Sequence, residues 1–230
     1  MQEKIYTIPV NEVFSQQDGC PFCRLFEKLE AREIDTIMGA AMMEPDIRME
    51  TNRHGFCGRH LQQVSAVKNR LSLGLTLDTH LQEIRKNLFG KSLLSGKSAA
   101  AQASYLKELK QDCYVCRRID GFMDKMFQTA VLLFERDWEF RKKLESQPFF
   151  CLPHYGRLLE AASKGLSSKH QKEFLRIAGQ VEENYLNALQ QDMGDFVALF
   201  DYRSSGAQPG EGSRTAIERL ITLLAPGDQN

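Results

Sequence analysis

Neither sign of charge dominates this chain: 30 Lys and Arg stand against 30 Asp and Glu. A neutral total leaves no electrostatic footprint for nucleic acid or an anionic membrane surface. No stretch approaches the about 18 apolar residues of a membrane-spanning helix. The opening MQEKIYTIPVNEVF has no basic segment leading into an apolar run, so no secretory signal is read there. The period-two alternation of half-buried strands is also missing. So are a phosphate-binding glycine loop, a dinucleotide glycine pattern and a serine nucleophile elbow. These absences predict a cytoplasmic protein that binds neither nucleic acid nor membrane, and one that is more readily read as a non-enzyme, with no catalytic residue assigned.

Against that background the six cysteines stand out. A reducing compartment disfavours structural disulfides, which leaves metal binding, redox chemistry or buried thiols. Spacing separates these. Cys20-Pro-Phe-Cys23 opens one helical stretch, and Cys57-Gly-Arg-His60 opens another. The same order returns as Cys113-Tyr-Val-Cys116 and Cys151-Leu-Pro-His154. Between the second and third cysteine lie 33 residues in the first copy and 34 in the second. This looks like a duplicated unit. A thioredoxin-type C-x-x-C would need a βαβ context that is not present.

Zinc takes four ligands at tetrahedral corners, with Zn–S near 2.3 Å, so two thiolates on one ion sit about 3.8 Å apart. A C-x-x-C or C-x-x-H pair at a helix start puts both donors on one side, because residues i and i+3 are neighbours. Two such half-sites complete a Cys₃His site. Helix N-termini carry partial positive charge and would offset the net −1 of such a centre. The predicted donors are Cys20, Cys23, Cys57, His60, Cys113, Cys116, Cys151 and His154, and they use every cysteine. Two zinc ions are the expected cofactors, with iron–sulfur clusters as the alternative. A helix of about 17 residues runs roughly 25 Å outward and the chain must come back. Pairing of half-sites within each copy is therefore expected, each metal pinning a helical hairpin to the next helix; crossed pairing is the alternative.

The expected fold is all-α: two pseudo-repeated helical units, each a hairpin pinned by a Cys₃His site, packed into one helical assembly. Residues 1–92 form the first repeat, 93–104 a linker, 105–202 the second repeat, and 203–230 a flexible tail with a short helix over Thr215–Leu224. Apolar stripes at helical spacing support this, Leu25, Leu29, Ile34 and Ile37 in one helix, and Phe174, Ala178, Val181, Tyr185, Leu189, Phe196 and Phe200 in another. Pro21, Pro45 and Pro153 suit first-turn positions, and Ser168 with Gln171 suits a capping box. His54 reads as a surface-loop residue, His80 and His170 as solvated, and Trp138 as a packing residue. The charges in KLEAREID and EFRKKLE read as solvated helix faces. Asp46, Arg48, Glu50, Asp201 and Arg203 are polar candidates for a separate pocket, read first as capping and ion-pairing groups.

The segments EKIYTIPVNEVF, CPFCRLFEKLE, DIRMETNRHGFCGRHL, CYVCRRID, FRKKLESQPFFCLPHY and FDYRSS resemble domain-of-unknown-function family 6062, a set of bacterial proteins of about this length, many from anaerobes. The likeness runs from about residue 3 to 203. It implies a cytoplasmic helical protein, adds weight to treating the eight donors as a set, and supplies neither substrate nor activity. The expected role is a metal-pinned binding or scaffold module for an unknown protein or small molecule, or a homodimer. A redox- or metal-responsive regulator is the alternative.

Overall fold

The computed structural model describes residues 3–90, 98–200 and 210–225. Among them every regular element is helical and none is a strand. Asp201, Arg203, residues 93–97 of the expected linker and residues 203–209 and 226–230 of the expected tail lie outside the described residues. The chain forms two compact units, one of residues 1–27 and 123–230, the other of residues 28–122. These are not the two copies of the cysteine pattern, because each unit takes one half-site pair from both copies. Helices α2 (Pro21–Met38) and α7 (Tyr114–Arg136) have residues in both units.

In the first unit, α1 (Glu3–Phe14), α8 (Trp138–Glu145), α9 (Leu152–Gly165) and α10 (Ser168–Ala198) join the start of α2 and most of α7. Its centre is aromatic. Phe14, Phe22, Phe127, Phe140 and Phe150 are fully buried. Phe22 stacks on Phe127 at 4.1 Å and meets Phe14 edge-on at 5.5 Å, while Phe14 packs against Phe140 at 4.8 Å. Such pairs add to the area that they bury. The Gln147 side-chain amide donates to Phe14 O at 2.8 Å, and Lys143 Nζ to Asn11 Oδ1 at 3.0 Å, so α8 holds the end of α1. Asp137 caps α8, its Oδ1 accepting from Glu139 N at 2.9 Å and Phe140 N at 3.4 Å.

The stripe along α10 is buried at Phe174, Ile177, Ala178, Val181 and Leu189. It fades further on, where Phe200 is exposed. The short α11 (Glu211–Arg214) and α12 (Ala216–Leu224) lie against α10, with Arg219 Nη1 on Asp192 Oδ2 at 2.6 Å. The helix start differs by one residue from the expected capping box. Ser167, not Ser168, is the N-cap, and the Gln171 amide instead donates back to Ser163 O and Leu166 O. These carbonyls belong to the end of α9, which would otherwise leave them without intrahelical partners.

The second unit holds the rest of α2, a 3₁₀ turn Ala40–Met43, α3 (Pro45–His54), α4 (Gly58–Ala66), α5 (Arg70–Phe89), α6 (Ala99–Gln111) and the start of α7. Arg48 on α3 donates to Leu75 O and Thr79 Oγ1 on α5, both at 2.8 Å. Asn69 caps α5 at Ser72 N and also donates to Met38 O at 2.8 Å. Gly55 ends α3 at φ +60°, where a Cβ would come within 2.7 Å of the His80 ring. Glycine is the residue that takes this turn without cost. Its carbonyl accepts from Tyr114 N at 3.0 Å, which ties the end of α3 to the first turn of α7.

Trp138, read as a packing residue, is exposed, with the Lys142 ammonium 5.1 Å from its ring centre. It occupies the first turn of α8, whose buried residues are Phe140 and Leu144.

Replacing Phe22 by Ala should lower stability by about 3–5 kcal/mol, because it empties the middle of the aromatic cluster. A denaturant midpoint for Phe22→Ala within about 0.5 kcal/mol of the parent would contradict this packing.

Candidate metal centres

Each half-site is built in the same way. Cys20, Cys57, Cys113 and Cys151 stand directly before a helix, and their carbonyls accept from Arg24 N, Leu61 N, Arg117 N and Tyr155 N. Each is thus an N-cap in backbone terms, and the residue three further on, Cys23, His60, Cys116 or His154, lies in the first turn. An N-cap side chain points back over that turn, towards the third helical residue. Here it carries a sulfur rather than a hydroxyl, so both donors of the half-site face the same way.

The structure gathers the eight predicted residues into two groups. Cys20, Cys23, Cys151 and His154 form one, and Cys57, His60, Cys113 and Cys116 the other. In each group the four donor atoms lie within 4.8 Å of one another. The expected pairing within each copy is thus corrected. The outermost half-sites of the sequence pair with each other, and so do the innermost. The hairpin return was the wrong premise: α2 starts in one unit and ends in the other, and the half-site beyond it meets the start of α7.

In the first group, within the unit of residues 1–27 and 123–230, Cys23 Sγ is 3.6 Å from Cys151 Sγ, and His154 Nδ1 is 3.1, 3.4 and 3.8 Å from Cys151, Cys23 and Cys20. In the second, His60 Nδ1 is 3.1, 3.3 and 3.4 Å from Cys57, Cys113 and Cys116, and Cys57 lies 3.9 Å from Cys116. The edges of a tetrahedral zinc site are about 3.8 Å for S–S and about 3.5 Å for S–N, from bond lengths near 2.3 and 2.0 Å. The donor sets therefore fit a single tetrahedral ion in each group, and could hold one.

Electrostatics points the same way. The Cys113 thiol is drawn down to about 3 by the bond from Cys116, against the cost of burial and with help from His60. The same bond pushes Cys116 far up. In the first group burial works against ionising Cys20, but bonds from Cys151, Cys23 and His154 outweigh it and hold that thiol well below its ordinary value. Cys151 is pushed up to about 12, chiefly by its bond to Cys20, and Cys23 is driven up by Cys151 and Cys20. In each cluster the thiol that ionises first raises a neighbouring thiol, and a cation between them would relieve that repulsion.

Around the second group the support is charged. His60 Nε2–H donates to Glu30 Oε1 at 2.9 Å, which leaves Nδ1 for the sulfurs. Glu30 also accepts from Gln63 Nε2 at 2.9 Å and pairs with Arg59. Burial raises its carboxyl, but the bonds from Gln63, Arg59 and His60 win and bring it below the usual range. A carboxylate behind a histidine is the common device that fixes the tautomer of a metal ligand. Sequence reading missed Glu30 by placing it on a solvated face. Its signal was position: it lies in the stripe of Phe26, Ile34 and Ile37, and it is 7% exposed. Glu33 is buried on the same side and accepts from Arg118 Nε at 3.2 Å.

His54 is likewise no surface-loop residue. It is buried at the end of α3, with Nδ1 2.6 Å from Asp112 Oδ2 and Nε2 3.1 Å from Glu50 Oε2. Asp112, next to Cys113, also accepts from Arg117 Nε at 2.6 Å. The His54–Asp112 contact therefore braces the two chain segments that enter the second group. His80 donates to Asn52 O at 2.9 Å, and His170 lies 2.9 Å from Glu135 Oε1, so neither is merely solvated. Asp46 and Glu50 line a cavity of about 380 Å³, which His54 joins to a polar groove of about 820 Å³ bounded by Arg53, Glu83, Tyr105 and Glu108.

The first group is supported differently. His154 lies beside the stacked rings of Phe22 and Phe127, at 6.1 and 5.8 Å from their centres. The buried Glu182 accepts from Phe150 N at 3.0 Å and so steadies the residue before Cys151. Burial, with the negative Cys20 nearby, pushes the Glu182 carboxyl up to about 7, although the Phe150 amide works against this.

A family model described as "Family of unknown function (DUF6062)" matches residues 1–230. No curated protein and no solved structure matches the chain. Among the described residues no helix is long and apolar enough to cross a membrane.

Glu30→Gln should weaken metal binding at the second group about 10- to 100-fold and leave the first group unchanged. Competition against a chromogenic chelator reads this; equal loss at both groups, or at neither, would contradict the role of Glu30.

Proposed function

This chain belongs to the family of unknown function DUF6062, and for it we propose a metalloprotein with two structural zinc centres, Cys20–Cys23–Cys151–His154 and Cys57–His60–Cys113–Cys116, that serves as a rigid helical binding module in the cytoplasm. The observation that carries this reading is the convergence of three sulfurs and one imidazole nitrogen on a single point, twice. Four protein donors fill a tetrahedral shell, whereas catalytic zinc keeps one position for water or substrate. An iron–sulfur cluster would spread its ligands over several irons, and the 3.1–3.9 Å donor separations favour one ion instead. Each centre joins helix starts far apart in sequence, so metal binding and folding are coupled, with a contribution on the order of 10 kcal/mol per site.

The surfaces available to a partner support a module better than a metal enzyme. The groove beside the second centre is lined by side chains of both charges, Arg53 and Arg117 with Glu83, Glu108 and Asp112. That suits a polar small molecule or a peptide, and the centre holds the ends of α3 and α7 that form its wall.

Elemental analysis of anaerobically purified protein should find two zinc ions per chain. Cys57→Ser and Cys151→Ser should each remove one ion and lower the melting temperature sharply. Full metal content in both variants, or a brown protein absorbing near about 400 nm, would sink the zinc reading.

A further inference from the structure

The two centres share a donor set but not an environment. In the first, Cys20, Cys151 and His154 are 4%, 0% and 0% exposed, and Cys23 alone is half-buried. The stacked Phe22 and Phe127 rings lie against its histidine, and the Glu182 carboxylate fixes Phe150 beside Cys151. An oxidant that reaches Cys23 finds its neighbour Cys151, 3.6 Å away, locked inside the core.

In the second, Cys57 and Cys116 are both half-buried, and their sulfurs lie 3.9 Å apart. They come from different helices, Cys57 before α4 and Cys116 in the first turn of α7. The surroundings are polar, with Glu30, Arg59 and Asp112 close by and the large groove opening beside His54. Two sulfurs here can meet an oxidant, against one in the first centre, and whichever is oxidised has the other 3.9 Å away.

We propose that the second centre is a peroxide-responsive redox switch that closes a Cys57–Cys116 disulfide and releases its ion, while the first centre keeps its metal. The inference rests on the reading of both groups as zinc centres. The chemistry balances with a hydroperoxide as oxidant. One of the two half-buried thiolates attacks an oxygen of hydrogen peroxide: an S–O bond forms, the O–O bond breaks, and hydroxide leaves, giving a sulfenic acid. The other thiolate attacks that sulfur: the S–S bond forms, the S–O bond breaks, and a second hydroxide leaves. Two thiolates lose two electrons in all, and the peroxide gains them. Cys113 and His60 remain, too few to hold a tetrahedral ion. The new bond keeps the starts of α4 and α7 together, so the unit stays connected after the ion leaves, and a thiol reductant with zinc reverses the step.

The test uses the full-length zinc-loaded protein. Its metal content is measured first, then hydrogen peroxide is added, zinc release is followed with a chromogenic chelator, and disulfides are mapped by peptide mass. The expected result is one zinc equivalent released at least about tenfold faster than the other, as thiolate reactivity follows exposure, with Cys57–Cys116 as the bridge formed. Cys57→Ser should abolish the fast phase, and Cys23→Ser, the matching change at the first centre, should preserve it. Simultaneous loss of both ions, no loss of either, or a first bridge at Cys23–Cys151 or Cys113–Cys116 would overturn the switch while leaving two zinc centres standing. An initial content below two would overturn the zinc reading and the switch with it.

Discussion

Three sulfurs and an imidazole nitrogen within 4.8 Å of each other repel once more than one of them carries negative charge. That constraint governs the rest of the molecule. The divergent shifts of the cysteine thiols, Cys113 lowered and Cys116 raised in one cluster, Cys20 lowered and Cys23 and Cys151 raised in the other, are the form that the repulsion takes without a cation. A divalent ion converts the same crowding into four bonds. Helix starts make the crowding feasible, because every donor pair occupies an N-cap and the first turn beyond it, where the peptide dipoles favour thiolate. Each cluster receives two such starts.

The two units then solve one problem with different materials. The first embeds its cluster in phenylalanine, and its rigidity comes from close packing. The second holds its cluster with carboxylates, Glu30 behind His60 and Asp112 between His54 and Arg117. Packing excludes solvent and chemistry alike. A charged surround orients donors while leaving a route for water, and the polar groove lies on that side.

Much of this was legible in the chain. The eight residues that the two groups gather were picked out by spacing alone, since i and i+3 at a helix start share a side, and Pro21, Pro45 and Pro153 mark first turns as expected. The stripe of α10 was visible as far as Leu189. The pairing was not legible, for a physical reason: a half-site on any helix start is geometrically compatible with any other, so local spacing carries no information about partners. Glu30 was hidden because a glutamate between lysines and arginines resembles a solvated face, although its register in the apolar stripe was the contrary sign. His54 depends on Asp112, 58 residues away, a contact that no local pattern encodes. The cap of α10 was misplaced by a single residue, the usual scale of error at helix ends.

The pairing of outermost with outermost and innermost with innermost makes the centres nested like brackets. Cys57 and Cys116 are 59 residues apart, whereas Cys23 and His154 are separated by 131. A ribosome adds about 5–20 residues per second, so the interval of 131 residues lasts roughly 7–26 s. Cys20 and Cys23 are out of the synthetic machinery before either of their partners, and the inner bracket has all its donors once Cys116 has emerged, 38 residues ahead of His154. Synthesis thus completes the inner bracket before the outer one, and Cys20 and Cys23 are the thiols that a growing chain exposes longest before their partners arrive.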